Sequence, residues 1–151
     1  MGFLDRFKKK KNIEYSNKLD AKRLVRSFKA AFEGIASTYK KEQNIKIHTI
    51  ISLIVVLAGF IFKINYIEWL VCLVLIGFVM MAEFFNTSIE YVVDLASPDI
   101  HPLAKAAKDT ASAGVLMMAI IAAVIGCVIF IPKIIEFVGG LLWLVWLEIN
   151  Y

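Results

Sequence analysis

The sequence has few of the residues from which soluble enzymes build reactive sites. Its two cysteines, Cys72 and Cys127, lie in separate apolar segments without a CxxC pair, so neither a zinc site nor a redox dithiol is indicated. Its two histidines, His48 and His101, are isolated, and each is better explained as an interface or hydrogen-bonding group than as a catalyst. The chain also lacks the phosphate-loop, GxGxxG, HExxH and GxSxG motifs. A soluble nucleotide-binding or hydrolase fold is therefore not indicated.

Polar residues are scarce as well, because 60% of the 151 residues are hydrophobic. This composition is too apolar for a small soluble domain. Three apolar runs each approach the roughly 20 residues that cross about 30 Å of hydrocarbon. The sequence therefore predicts an all-α membrane protein with three transmembrane helices. The predicted helices cover about 46–63, about 66–86 with a helical continuation to 94, and about 110–131.

Three further segments accompany these helices. Residues 1–16 form a basic tail without a secretory apolar region, and we expect it to stay cytoplasmic and to bind an anionic lipid bilayer. Residues 18–43 have the periodicity of an amphipathic helix on the membrane surface, with a soluble helix that caps the bundle as the alternative. In the C-terminal extension, 132–151, the apolar stretch 134–147 is short for a crossing, so an interfacial or re-entrant helix is predicted.

The positive charge is concentrated at one end of the chain, since 13 of the 17 Lys and Arg residues lie between Arg6 and Lys46. Basic segments beside membrane helices stay on the cytoplasmic side, which places the N-terminus inside and returns residues 87–110 to the cytoplasm. Topology and anionic lipid account for this charge, so no nucleic-acid partner is predicted.

Acidic residues interrupt the second apolar run. On a helix, Glu83, Asn86, Glu90 and Asp94 fall at i, i+3, i+7 and i+11 and share one stripe. An ionised side chain in hydrocarbon costs about 2.5–3.5 kcal/mol, so Glu83 needs a partner or a function, and a general base is the functional interpretation. The structural alternative is a hydrogen-bonding stripe that specifies helix assembly.

Other charged residues flank the predicted crossings on the same side. Glu42 and Glu90, from different helices, could hold Mg²⁺, which prefers oxygen ligands completed by water and phosphates. Lys108 could neutralise phosphate charge, with Arg23 or Arg26 contributing from the surface helix. Each of these residues is also compatible with an ordinary membrane boundary.

The segments 83–94 and 104–113 carry a resemblance to a known family. They read EFFNTSIEYVVD and AKAAKDTASA, and the chain from about Arg23 to Ile131 is similar to the prokaryotic diacylglycerol kinase and undecaprenol kinase family of small integral-membrane lipid kinases. The resemblance implies a kinase domain at 17–131, ATP as phosphoryl donor, Mg²⁺, a bacterial cell membrane, and a homotrimer with active sites shared between subunits.

The same resemblance implies roles for individual residues. Glu83 matches the catalytic base, and Asn86 supports the catalytic centre. Metal and nucleotide binding fall to Glu42 and Glu90. The other nucleotide-binding assignments are Arg23, Asp99, His101, Lys108 and Asp109. The lipid-binding assignments, besides Glu83, are Arg23, Arg26 and Ser112.

Two short segments bear on the acceptor lipid. Residues 42–48 and 101–105 look more like the Gram-positive undecaprenol kinase branch than the Gram-negative diacylglycerol kinase branch. Undecaprenol is therefore the predicted acceptor, with diacylglycerol as the alternative. A hypothesis of another class is a non-enzymatic membrane scaffold whose polar stripe specifies oligomerisation.

Overall fold

The computed structural model describes residues 21–97, 99 and 101–150, and for residues 141, 144 and 147–150 it describes the backbone alone. These residues form four helices: α1 (Ala21–Lys41), α2 (Gln43–Ile61), α3 (Tyr66–Ala96) and α4 (Pro102–Asn150). The described residues contain no strand, and α2, α3 and α4 are each long and apolar enough to cross a membrane. The predicted all-α fold with three membrane-length helices is thus confirmed. The predicted basic tail, 1–16, lies outside the described residues.

Helix α1 is amphipathic. Its apolar side chains recur every three or four residues and are exposed, among them Leu24, Phe28 and Ile35. On its polar side Lys29 lies 3.9 Å from Glu33, and because these side chains are 77% and 68% exposed the ion pair contributes little stability. An exposed apolar stripe of this kind fits a helix on a lipid surface, and its location there stays a prediction.

A single residue, Glu42, separates α1 from α2. Its backbone is extended (φ −93°, ψ 131°), and its side chain makes no capping hydrogen bond to α2. The hydroxyl oxygens of Tyr39 and Thr49 lie 2.6 Å apart and join the last turn of α1 to α2. The Glu42 carboxylate is consequently not used as a helix cap and is available for other partners.

The connection between α2 and α3 is a tight turn at 62–65. Lys63 has a positive φ of 50°. Asn65 then caps α3 through a capping box: its side chain accepts the Glu68 N–H at 3.0 Å, and the Glu68 carboxylate accepts the Asn65 N–H at 2.7 Å. Across the turn, a Cβ at Gly59 would lie 2.7 Å from the Trp69 ring, so glycine is what lets this ring reach α2.

Helices α3 and α4 pack side by side in opposite directions, and an ion pair marks each end of the shared length. Asp94 pairs with Lys108 at one end, and the Lys133 Nζ lies 3.1 Å from the Glu68 carboxylate at the other. The stretch of α3 from Glu68 to Asp94 is about 39 Å long at 1.5 Å per residue, close to the ~40–45 Å of a bilayer with its headgroup regions. The two ion pairs are therefore spaced as membrane-boundary groups would be.

The C-terminal extension is continuous with α4. The sequence assigns the third crossing to about 110–131, whereas the helix begins at Pro102 and passes through Pro132 to Asn150. Proline removes one backbone hydrogen bond, yet long apolar helices tolerate it where the freed carbonyl finds another partner. The placement of 134–147 in the membrane interface stays a prediction.

Candidate active site

The buried residues of α3 become polar over one turn of the helix. Towards its N-terminus α3 buries Cys72 and Val79, and further along it buries Glu83, Asn86 and Thr87. Glu83 is only 1% exposed, although many apolar side chains of the same helix face outwards. A carboxyl group enclosed at membrane depth is costly, so its surroundings determine what it can do.

Exposure increases along the predicted polar stripe. Asn86 is 5% exposed, the side chain of Glu90 is 25% exposed, and that of Asp94 is 55% exposed. The Asn86 side-chain amide donates a hydrogen bond of 3.2 Å to Glu90 Oε1. The stripe thus runs from an enclosed carboxyl at Glu83 to a solvent-facing one at Asp94, and Asn86 fixes the orientation of Glu90 between them.

A lysine lies between the two carboxylates that the sequence assigns to a metal. The Lys41 Nζ is 3.5 Å from Glu42 Oε1 and 3.7 Å from Glu90 Oε2. The same Nζ lies 4.3 Å from the centroid of the Tyr91 ring, a cation–π distance. The α1–α2 junction and the end of α3 therefore bring two carboxylates around one positive charge, and the sequence analysis did not identify Lys41 as part of this group.

The donor set fits a partly protein-bound divalent cation. Three buried side-chain oxygens have no hydrogen-bond partner within the described residues: Glu42 Oε1, Glu83 Oε1 and Asn86 Oδ1. Among the described residues, no group of three or more His, Cys, Asp or Glu side chains is close enough together to hold a metal without other ligands. Mg²⁺ is commonly held by one or two carboxylates and completed by water and phosphates, which two glutamates can supply.

A polar neighbour of Glu83 is His48, which the sequence analysis explained as an interface or hydrogen-bonding group. The His48 Nε2 lies 3.2 Å from Glu83 Oε1, and the imidazole is 19% exposed. The two atoms approach each other without forming an aligned hydrogen bond, since Oε1 has none. Periodicity within α2 carries no signal for this contact, because it depends on how α2 is rotated against α3.

An apolar cavity of about 530 Å³ opens between α2, α3 and α4. Its wall is polar near the start of α2, where His48 and Ser52 contribute, and apolar along most of its length towards Phe130 and Ile134. On the α4 side the wall begins with small residues, Ala119, Ala122, Ala123 and Gly126, and continues with larger apolar ones. The volume is within the range of ligand pockets in proteins, and the lining suits a hydrocarbon chain.

Three of the residues that the resemblance assigns to the nucleotide have local partners in the structure. Lys108 pairs with Asp94 across the α3–α4 end, and Asp109 pairs with Lys105 one turn away. His101 lies just before α4, where its Nδ1 accepts the Leu103 N–H at 3.2 Å. Lys108 is near the polar stripe through Asp94, whereas His101 acts locally as a cap of α4.

The remaining predicted residues are exposed. Asp99 lies between α3 and α4, where its carbonyl oxygen accepts a hydrogen bond of 3.1 Å from the Ser97 hydroxyl. Arg23 and Arg26 are exposed on α1, and Ser112 is exposed on α4. Their assignments to ATP or lipid stay predictions.

The similarity to known proteins covers the helices that carry these site residues. A sequence model of the prokaryotic diacylglycerol kinase family matches residues 29–130. The chain is 40% identical over 121 residues to the undecaprenol kinase of Bacillus subtilis (strain 168), covering 80% of this chain and 97% of that protein. It is 33% identical over 117 residues to a diacylglycerol kinase of Synechocystis sp. (77% of this chain, 67% of that protein). It is 36% identical over 101 residues to a diacylglycerol kinase of Helicobacter pylori (64% and 78%).

Proposed function

The chain belongs to the prokaryotic diacylglycerol kinase family and is a lipid kinase with ATP as its phosphoryl donor, and we propose that its acceptor is the hydroxyl of undecaprenol. The proposal that undecaprenol is the acceptor is supported by the 40% identity to an undecaprenol kinase over 97% of that protein. Diacylglycerol is the second candidate, because diacylglycerol kinases of Synechocystis sp. and Helicobacter pylori are 33% and 36% identical to the chain. The scaffold hypothesis does not survive the family assignment.

Glu83 is the proposed catalytic base. Its carboxyl is 1% exposed on α3 and has an oxygen without a hydrogen-bond partner. In the proposed step this carboxylate takes the proton of the lipid hydroxyl. The lipid oxygen forms a bond to the γ-phosphorus of ATP, and the bond to the leaving oxygen breaks to release ADP. Enclosure keeps bulk water from competing as acceptor.

Glu42 and Glu90 are the proposed ligands of Mg²⁺, which would neutralise charge on the phosphates of ATP. The support is that their carboxylates already lie on either side of the Lys41 ammonium, at 3.5 and 3.7 Å. Asn86 orients Glu90 through its 3.2 Å hydrogen bond. Lys108 and Asp109 are proposed to contact the nucleotide, as are Arg23, Asp99 and His101 from more exposed positions.

The lipid chain is proposed to occupy the apolar cavity between α2, α3 and α4. The cavity measures about 530 Å³, and its lining is apolar except near His48 and Ser52. A chain anchored there would place its polar end beside Glu83, since His48 both lines the cavity and contacts that carboxyl. Arg26 and Ser112 remain proposed contacts of the lipid.

The end of the bundle that holds Glu42 and Glu90 is proposed to face the cytoplasm of a bacterial cell. The supports are the concentration of Lys and Arg between Arg6 and Lys46 and the location of ATP inside cells. A homotrimer with shared active sites is also proposed. It fits the exposed apolar side chains of α3, such as Phe78 and Phe85, which need lipid or another subunit to cover them.

The test is a phosphorylation assay of the purified protein in mixed micelles with undecaprenol or diacylglycerol at equal mole fraction, using labelled ATP. We expect kcat/KM for undecaprenol to be at least about tenfold higher, a difference of about 1.4 kcal/mol in transition-state binding. Equal or greater turnover of diacylglycerol would overturn the acceptor assignment. Absence of product from both lipids would exclude both acceptors.

A further inference from the structure

His48 belongs to two parts of the molecule at once. It is among the residues that line the apolar cavity, and its Nε2 lies 3.2 Å from Glu83 Oε1. Glu83 itself is not part of the cavity wall. A molecule that enters the polar end of the cavity therefore meets the imidazole of His48 on its way to the carboxyl.

The immediate surroundings of Glu83 make this contact important for its geometry. The side chain is enclosed, and Oε1 accepts no aligned hydrogen bond from the described residues. Thr87, the other fully enclosed residue of this turn, donates its hydroxyl to the Glu83 carbonyl at 3.0 Å rather than to the carboxylate. The 3.2 Å approach of the His48 imidazole is thus a polar contact that can orient Oε1.

The imidazole in turn is held by α2. His48 lies within the helix, and its carbonyl accepts the Ser52 hydroxyl at 2.7 Å. The α4 residues that line the cavity are alanines, a glycine, Cys127 and larger apolar residues, so none of them is an acidic or basic side chain that competes for the ring. A ring with an N–H donor on a fixed backbone is suited to orient a neighbouring carboxylate.

We propose that His48 is a positioning residue of the kinase: it orients the Glu83 carboxylate towards the polar end of the cavity, where the lipid hydroxyl arrives. This inference rests on the proposed function of Glu83 as the base. It predicts that His48 affects the chemical step and the use of the lipid, while ATP binding is independent of it, because the Glu42–Lys41–Glu90 group has no contact with the imidazole among those described.

The experiment compares His48→Leu, His48→Gln and His48→Asn by measuring kcat and the KM values for undecaprenol and ATP separately. His48→Leu is expected to lower kcat by about 10- to 100-fold, the loss expected when one polar contact to a charged group is removed. The KM for ATP should stay within about twofold. His48→Gln keeps a donor of similar reach and should recover most of the rate, whereas the shorter Asn should recover little.

A neighbouring residue of α2 provides the control. Thr49→Val removes a polar contact one position along the helix, the 2.6 Å approach to the Tyr39 hydroxyl, and Thr49 does not line the cavity. It should keep kcat within about twofold. If His48→Leu does not fold, the Gln and Asn variants still test the proposal. For a histidine with a purely structural role, kcat would not depend on how far the side-chain N–H donor reaches.

Three outcomes would overturn the inference. An unchanged kcat in His48→Leu, with Glu83→Gln inactive, would reject His48 alone and leave the proposed base in place. Equal losses in the Leu, Gln and Asn variants would assign His48 to packing. Near-normal turnover by Glu83→Gln would reject the base itself, and with it the inference that depends on it.

Discussion

At one end of the α3–α4 pair Glu68 meets Lys133, and at the other Asp94 meets Lys108. The Glu68 carboxylate has two partners nearby: it accepts the Asn65 N–H in the capping box of α3, and it forms an ion pair with Lys133. Towards the Asp94 end α3 buries Glu83 and Asn86, and each has a buried oxygen that accepts no hydrogen bond from the described residues, as does Glu42 before α2. Acidic residues at membrane boundaries are thus of two kinds. Glu68 serves local structure, whereas Glu42 and Glu83 each keep an oxygen that accepts no hydrogen bond from the described residues, and these two are the ones proposed to take part in the reaction.

The largest difference is expected when Glu83 and Glu68 are each replaced by glutamine and the two variants are compared. Glu83→Gln should lower kcat by about 10²- to 10⁴-fold, the usual contribution of a general base. Glu68→Gln should change kcat by less than about twofold, because its carboxylate serves the α3 cap and Lys133. Both variants are measured in the same micelle assay with undecaprenol, and circular dichroism shows whether each remains helical. A comparable loss in both would remove the distinction between the two ends.

The second effect concerns the cation. Glu90→Gln removes one of the two carboxylates around Lys41 and should raise the Mg²⁺ concentration for half-maximal activity by about 10- to 100-fold, the loss of one charge-assisted contact. Mn²⁺ binding followed by electron paramagnetic resonance should weaken in parallel. Glu136→Gln, an exposed carboxylate towards the opposite end of α4, is the control and should leave both measurements unchanged. Unaltered Mn²⁺ binding by Glu90→Gln would exclude Glu90 as a ligand.

A third prediction tests the structural end through Gly59. Gly59→Ala places a Cβ 2.7 Å from the Trp69 ring, and overpacking of this kind costs about 1–3 kcal/mol. Gly77→Ala on α3 meets no atom within 4 Å and should be neutral or stabilising, because alanine favours the helix by about 0.5–1 kcal/mol. Thermal unfolding in detergent compares the two. Equal midpoints would show that Trp69 has room to move.

The smallest effect is expected at the Glu68–Lys133 ion pair. Lys133→Met removes the ammonium 3.1 Å from Glu68 and should destabilise the protein by only about 0.2–1 kcal/mol, as for most ion pairs near a surface. A double-mutant cycle with Glu68→Gln, read by unfolding, isolates the pair itself. A coupling energy well above this range would mean that the Glu68–Lys133 ion pair holds α3 and α4 together.

Much of the fold follows from the sequence because membrane insertion imposes a simple length rule. A run of about 20 apolar residues predicts a membrane crossing wherever it occurs in the chain. Three helices among the described residues satisfy this length rule. The ends of the helices were less predictable. Helix α4 starts at Pro102 and continues through Pro132, because proline is favourable at the first position of a helix and is tolerated within membrane-length helices.

The sequence by itself determined the class of the protein, the number of membrane-length helices, and the stripe from Glu83 to Asp94, because each depends on composition or on a period within one helix. Only the tertiary structure decided that His48 reaches Glu83, that Lys41 lies between Glu42 and Glu90, and that a cavity opens between α2, α3 and α4. Contacts between helices depend on the rotation and register of one helix against another, and a period within a single helix contains no information about either.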